Sequence, residues 1–211
     1  MSIQGPRLFL ASSSPRRREL LAQIGVSFEV LSPDIPEHVL AGESAEDYVS
    51  RLAAEKARAG LNLLPESSAE EEILLLGSDT SVVVDGTILG KPQDRRAGLE
   101  MLSQLSGRRH QVMTAVSLLN NQGRQQTRIS VSEVQFRHLS MDEIERYWHS
   151  GEPADKAGGY AVQGLGAVFI EQLTGSYSAV MGLPLFETAE LLESFGLPVL
   201  QQGKVEGLES V

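Results

Sequence analysis

Three serines, a proline and three arginines follow one another in Ser12-Ser-Ser-Pro-Arg-Arg-Arg18. The apolar run Leu8 to Ala11 before them reads as a short buried strand, and the run carrying Leu20, Leu21 and Ile24 after them as an amphipathic helix. Ser14 stands where an N-cap belongs and Pro15 where a first helical residue belongs, since the missing proline N–H would be unpaired there anyway. A helix N-terminus offers free backbone N–H groups and a positive dipole end, which suit an anion. Cations are unfavourable at that end, so the arginines fit either a bound phosphate or a solvated helix face. Elsewhere stand three separated lysines, Lys56, Lys91 and Lys156, and two acids on loop or strand end, Glu37 and Asp79. Cations and N–H groups of this kind hold phosphate oxygens, while carboxylates hold a hard divalent ion through oxygen. Hydrolysis at a phosphoryl centre then needs positioning, charge neutralisation and an oriented water, not a covalent nucleophile. Each residue also has a plainer reading. Lys56, among Arg51, Glu55 and Arg58, reads alone as a surface charge, and Asp79 as the cap of a turn.

The elements that must carry these groups can be read in order. Ser27 to Ser32 is strand-like, and the prolines of Pro33-Asp-Ile-Pro-Glu37 leave Asp34 and Glu37 on a loop. Ser44 caps a helix, with Asp47 three residues on; Tyr48, Leu52, Ala53 and Ala57 form its apolar stripe and Gly60 its end. Residues 65–72 form an acidic link. Ile73 to Gly77 suits a central strand that ends in Ser78-Asp79-Thr80-Ser81, before Val82 to Val84 resumes strand character and Asp85-Gly86 turns. Asp79 is thereby expected at a strand end, where ligands of open α/β sheets bind. Lys91 lies on a tight loop, followed by a helix to Leu105. His110–Leu119 and Gln125–Arg137 make an antiparallel hairpin, with Ile129, Val131 and Phe136 expected inward. Ser140-Met-Asp-Glu143 opens a capped helix. The glycine-rich stretch from Asp155 to Gly166 suggests backbone brought close to a ligand or a strained turn. Val168–Leu173 is a further strand, and Leu183 to Phe195 carries the last helix.

Composition narrows the function classes. The chain has 211 residues, 41% hydrophobic and 22% charged, as in ordinary soluble domains. A net charge of -10 argues against a general nucleic-acid or membrane-surface binder. There are no cysteines, hence no disulfide, thiolate metal site or cysteine nucleophile. With no signal-peptide h-region and no run of membrane-spanning length, a cytoplasmic protein is expected. No Walker loop or Gly-x-Ser-x-Gly elbow is present, and the four histidines lack metal-ligand spacing. Residues 1–200 are expected to form a single domain and residues 201–211 a disordered tail.

Several short motifs together resemble the Maf family of nucleoside triphosphate pyrophosphatases. They are Ala11-Ser-Ser-Ser-Pro-Arg-Arg17, Glu55-Lys-Ala57, Gly77-Ser-Asp-Thr80, Gly90-Lys-Pro92, His110-Gln-Val112 with Thr114-Ala-Val116, Asp155-Lys-Ala-Gly158, Gly175-Ser-Tyr177 and Gly182-Leu-Pro-Leu185 with Glu187-Thr188. The resemblance runs from Leu8 to about Leu197. It implies an α/β fold with an elongated mixed sheet, flanking helices and a central cleft between two lobes, similar to inosine triphosphate pyrophosphatases. It also implies hydrolysis of a nucleoside triphosphate to the monophosphate and pyrophosphate with a divalent metal, Mg²⁺ or Mn²⁺. Asp79 would be the catalytic acid residue, as proton acceptor or metal ligand, with Glu37 assisting at the metal. Ser12, Ser14 and Arg17 would hold phosphates, Lys56 and Lys91 would close on them, and Lys156 would add a further substrate contact. The Tyr160-Ala-Val-Gln-Gly164 segment resembles the branch acting on dTTP and UTP, with Arg16, Thr80 and Gln163 at the specificity positions. Gln163 offers a donor and an acceptor to the O4/N3 edge of thymine or uracil. The alternatives are a non-catalytic nucleotide-binding regulator of cell division, or the same hydrolysis on a purine or methylated base. Ser78 stands where many members carry alanine, an extra hydroxyl able to alter water placement. Homodimers are common in the family, and the sequence itself carries no sign of an interface.

Overall fold

A computed structural model describes residues 5–64 and 72–200. The expected tail at 201–211 and nearly all of the acidic link lie outside the described residues. The elements are β1 (Arg7–Ala11), α1 (Pro15–Gln23), β2 (Glu29–Leu31), α2 (Ala45–Leu61), β3 (Ile73–Val84), β4 (Thr87–Leu89), α3 (Arg95–Leu105), β5 (Arg109–Asn120), β6 (Gln125–Phe136), α4 (Met141–His149), β7 (Ile170–Thr174), α5 (Tyr177–Met181) and α6 (Leu185–Ser194). Short 3₁₀ turns fill the chain from Glu152 to Phe169. The strands make one mixed sheet in the order β2-β1-β3-β5-β6-β7, with β4 also paired to β3. Helices flank it, giving the α/β class that the sequence implied.

Local chemistry sets most of the boundaries. Ser44 accepts from Asp47 N, Asp94 from Ala97 N, and Ser140 with Glu143 forms a full capping box. Asp85 and Gly86, with φ of 48° and 75°, turn β3 into β4. Two boundaries differ from expectation. The strand over 27–32 shrinks to Glu29–Leu31, since its pairing with β1 covers only those residues. Gly60 does not end α2 but sits inside it, where a Cβ would stand 3.0 Å from the Ala11 side chain.

The largest correction concerns β3. The expected break at Ser78–Ser81 is absent, and Ile73–Val84 is one strand of 12 residues with Asp79 in its middle. Polar residues persist in the strand because β5 pairs with it without interruption from Leu74↔Asn120 to Val83↔Gln111. On its other edge β3 meets β1 only at residues 73–76 and β4 only at 82–84. Among the described residues, 77–81 therefore have no strand neighbour on that side. The sheet opens a gap there, and the gap positions the site.

Both faces of β3 are covered. Leu20, Leu21, Leu191, Leu192 and Phe195 from the helices pack with Leu74, Leu76, Val116 and Leu118 on one face. On the other, Val49 and Ala53 of α2 meet Met113 and Ala115. The α2 backbone comes so close to β3 that a Cβ on Gly77 would lie 2.2 Å from the Ala53 carbonyl oxygen. Gly77→Ala should thus force helix and strand apart and cost about 3 kcal/mol, measurable by urea denaturation.

The hairpin of β5 and β6 forms as expected, with Phe136 fully buried. Ile129 and Val131 face outward instead, at 37% and 45% exposure, while Ser130 and Ser132 point inward. The inward serine has work to do: Ser132 Oγ accepts from Ser176 N at 3.0 Å, tying down the turn that leads into α5. Alternation fixes the rest, because a strand with one face committed must expose the other.

Candidate active site

Side chains alternate along β3, so the gap presents two sets of groups. Asp79 projects towards α2, and Ser78 and Thr80 to the opposite face. α2 delivers Lys56 onto Asp79. The Lys56 stem lies among the buried residues of the helix, and only 8% of the residue is exposed. Its Nζ stands 2.7 Å from Asp79 Oδ1 and 2.5 Å from Glu37 Oε1. The reading of Lys56 as a surface charge is thereby corrected: its helix position coincides with the apolar stripe, and two carboxylates hold its charge. Glu37 comes from the loop after β2, where the Tyr48 hydroxyl donates to its carbonyl oxygen at 3.3 Å. Lys91, on the loop after β4, reaches to 3.8 Å from Glu37 Oε2.

The two acids are tuned in opposite senses. Burial pushes the Asp79 carboxyl above the usual carboxylate range, with the charges of Lys56 and Arg17 drawing it only part of the way back. Burial also acts to raise Glu37, but the Lys56 hydrogen bond and the charges of Lys56, Lys91 and Arg17 outweigh it and hold the group low. Among the described residues no three His, Asp or Glu side chains gather as metal ligands. Asp79 and Glu37 are the two carboxylates that meet Lys56.

On the other face Arg17 is held by three acceptors. Its Nε donates to Gly182 O at 2.8 Å, Nη1 to Ser12 Oγ at 3.3 Å and Nη2 to Thr80 Oγ1 at 3.4 Å. Ser14 occupies the N-cap position of α1, yet its hydroxyl makes no capping bond. Its own N–H goes to Ser12 Oγ at 3.2 Å. Arg16 Nη1 lies 3.6 Å from Asp155 Oδ2, and Lys156 Nζ pairs with the same carboxylate while donating to Glu152 O at 3.3 Å. Gln163 is exposed, and its amide has no internal hydrogen-bond partner among the described residues.

A single cavity of about 700 Å³ is bordered by every residue singled out in the sequence: Ser12, Ser14, Arg16, Arg17, Glu37, Lys56, Asp79, Thr80, Lys91, Lys156 and Gln163. Arg18 is exposed and does not border it. A family model described as Maf-like protein matches residues 7–195, nearly the whole described chain. The chain belongs to the Maf family. Two curated relatives named dTTP/UTP pyrophosphatase agree with this. The one from Alkalilimnicola ehrlichii is 55% identical over 90% of this chain and 93% of its own. The one from Saccharophagus degradans is 55% identical over 92% of this chain and 91% of its own. A solved nucleoside-triphosphatase, a dITP/XTP pyrophosphatase from Mycobacterium abscessus, aligns at 20% identity over 63% of this chain and 75% of that one, with a TM-score of 0.40.

Within this Maf chain the structure adds residues that the motifs did not single out as site groups. Asp155 links Arg16 to Lys156. Tyr48 packs with the apolar stripe of its helix, as expected, and borders the cavity as well. Tyr160 also lines it, with its hydroxyl 2.8 Å from His110 Nε2. His110 is buried behind it, held neutral by burial with a pKa lowered to about 4. It supports the Tyr160 hydroxyl from behind the cavity wall. The Ser78 hydroxyl neither borders the cavity nor touches Asp79. It lies 2.9 Å from Ala115 O and 3.0 Å from Gly182 O, and the second of these carbonyls also receives Arg17. The glycine-rich stretch divides as well. Gly158 has φ of 66°, and a Cβ there would meet Val82 at 2.9 Å; on Gly164 it would meet the Glu152 carboxylate at 2.1 Å. These two glycines let the loop pack closely on protein, while Ala157 and Tyr160 to Gln163 of the same stretch border the cavity.

Proposed function

We propose that this Maf protein hydrolyses dTTP and UTP to the nucleoside monophosphate and pyrophosphate. The observation that carries the reading is the convergence on one cavity of a carboxylate pair bridged by Lys56 with an arginine held by three acceptors beside a helix N-terminus. The names of the relatives supply the substrate class. In this reading Arg17, Ser12 and the first turn of α1 take the phosphate oxygens, with Ser14, Lys91 and Lys156 beside them. Water attacks the α-phosphorus, the bond from that phosphorus to the bridging oxygen breaks, and pyrophosphate leaves. Asp79 orients the water and accepts its proton, a role suited to a carboxyl whose burial raises its pKa and makes it a stronger base. Arg16, Thr80 and Gln163 face the base and sugar.

The donor set fits a divalent ion. Two carboxylates converge on one cation, Lys56, and Mg²⁺ or Mn²⁺ is commonly held by one or two carboxylates together with substrate phosphates. Asp79 and Glu37 would hold it. When bound, such an ion neutralises charge developing on the phosphates. Chelation with EDTA should abolish turnover, and Mg²⁺ or Mn²⁺ should restore it.

The deciding experiment identifies products. Purified protein with Mg²⁺ and dTTP should release pyrophosphate and dTMP; orthophosphate as the first product would overturn the reading. Gln163→Glu should cut kcat/KM for dTTP by about tenfold, because a carboxylate cannot donate to O4. A panel of nucleotides measures that change and also tests the purine alternative.

A further inference from the structure

Thr114 lies on β5 directly opposite Thr80 on β3, fully buried and outside the residues that line the cavity. Its Oγ1 is 2.7 Å from the Ala179 carbonyl oxygen and 3.0 Å from Thr80 Oγ1. A hydroxyl carries one proton, and a carbonyl only accepts. The Thr114 proton therefore goes to Ala179, and the bond between the two threonines takes the proton of Thr80. Thr80 Oγ1 also receives Arg17 Nη2 at 3.4 Å, which uses one of its two lone pairs. One lone pair is left for the cavity, so Thr80 meets a ligand as an acceptor of fixed sense.

Fixed sense matters because Gln163 lacks it. Its amide is exposed and without an internal partner among the described residues, so it can turn over. One orientation matches the O4 acceptor and N3–H donor of thymine or uracil, and the other matches the N4 donor and N3 acceptor of cytosine. Gln163 alone cannot choose between them. We propose that Thr114 is a specificity-determining residue acting through Thr80: it takes up the Thr80 proton, so that the N3–H of thymine or uracil, accepted by Gln163, is shared with the Thr80 oxygen as a second acceptor, while the bare N3 of cytosine would face that oxygen lone pair to lone pair. Thr114 touches no substrate and is a positioning residue. The inference rests on the reading of the cavity as a pyrimidine triphosphate hydrolase.

The test compares kcat/KM for dTTP and dCTP in wild type, Thr114→Val and Thr114→Ser, with melting temperatures recorded alongside. Valine keeps the shape and removes the acceptor, which frees the Thr80 proton to turn into the cavity. The dTTP to dCTP ratio should then fall by about tenfold or more, while serine holds it within about threefold of wild type. In a Thr80→Val background, Thr114→Val should change the ratio no further. If Thr114→Val does not fold, Thr114→Ala is read in its place, since it lacks the hydroxyl without adding bulk. An unchanged ratio in the valine or alanine variant, an equal fall in the serine variant, or an additional fall in the double variant would overturn the role of Thr114. Failure of the wild-type protein to hydrolyse any nucleotide would overturn the pyrophosphatase reading along with it.

Discussion

Asp79→Asn should lower kcat by about three orders of magnitude, the middle of the range for removing a positioned general base, while leaving the fold intact. The same substitution should raise the stability of the metal-free protein relative to wild type progressively as pH rises. The sign follows from the environment: burial raises the folded-state pKa of Asp79. A carboxyl whose folded pKa is raised favours the folded state below its unfolded pKa, about 3.9, and loses that contribution as pH climbs through the folded value. Asparagine carries no such dependence. The melting temperature of the variant minus that of wild type, measured in EDTA, should therefore grow from pH 4 towards pH 7. A variant that lost activity together with its melting transition would show Asp79 to be structural.

Lys56→Met should be nearly as damaging to turnover and the more damaging to the fold. It leaves Asp79 and Glu37 facing one another across a buried position without the cation that now sits 2.7 Å and 2.5 Å from them. Breaking a buried pair by removing one partner costs about 3–5 kcal/mol. Lys56 is the largest of the influences that lower Asp79 against the effect of burial. Without it the Asp79 pKa moves further up, so the acid limb of the kcat/KM profile should shift to higher pH. The stability deficit should be smallest in acid, where both carboxyls are protonated, and deepen as pH rises. Urea denaturation at several pH values, together with the pH–rate profile, checks both statements. Lys56→Arg separates charge from shape. The longer, planar group keeps the charge but not the single ammonium point between the two carboxylates, so it should recover stability more than turnover.

These two residues also show how differently sequence and fold contributed. Asp79 was legible as an acid beside a buried apolar run, but its place was misjudged. A run of Ser, Asp, Thr and Ser looks like the end of a strand, and only the pairing partner β5 keeps it extended. Lys56 was legible as a charge on a helix, and on composition alone that helix face looked solvated. Its burial needs Glu37 and Asp79, which arrive from 19 and 23 residues away along the chain. Ile129 and Val131 misled for a related reason. Hydrophobicity argued for the inside, whereas the alternation of β6 was already committed by Val134 and Phe136.

The sequence by itself determined the caps at Ser44 and Ser140, the Asp85-Gly86 turn, the order of the main strands and helices, and the inventory of cations, acids and hydroxyls that gather in the cavity. All of these depend on groups a few residues apart, whose preferences act whatever the rest of the chain does. The tertiary structure alone decided that β1 and β4 leave residues 77–81 of β3 open on one edge, that Lys56 stands between two carboxylates, and that Thr114 Oγ1 lies between Thr80 Oγ1 and the Ala179 carbonyl. Those outcomes rest on register between distant strands and on contacts in a buried network. Neither leaves a trace in the local pattern, because a strand reads the same whichever neighbour takes its edge.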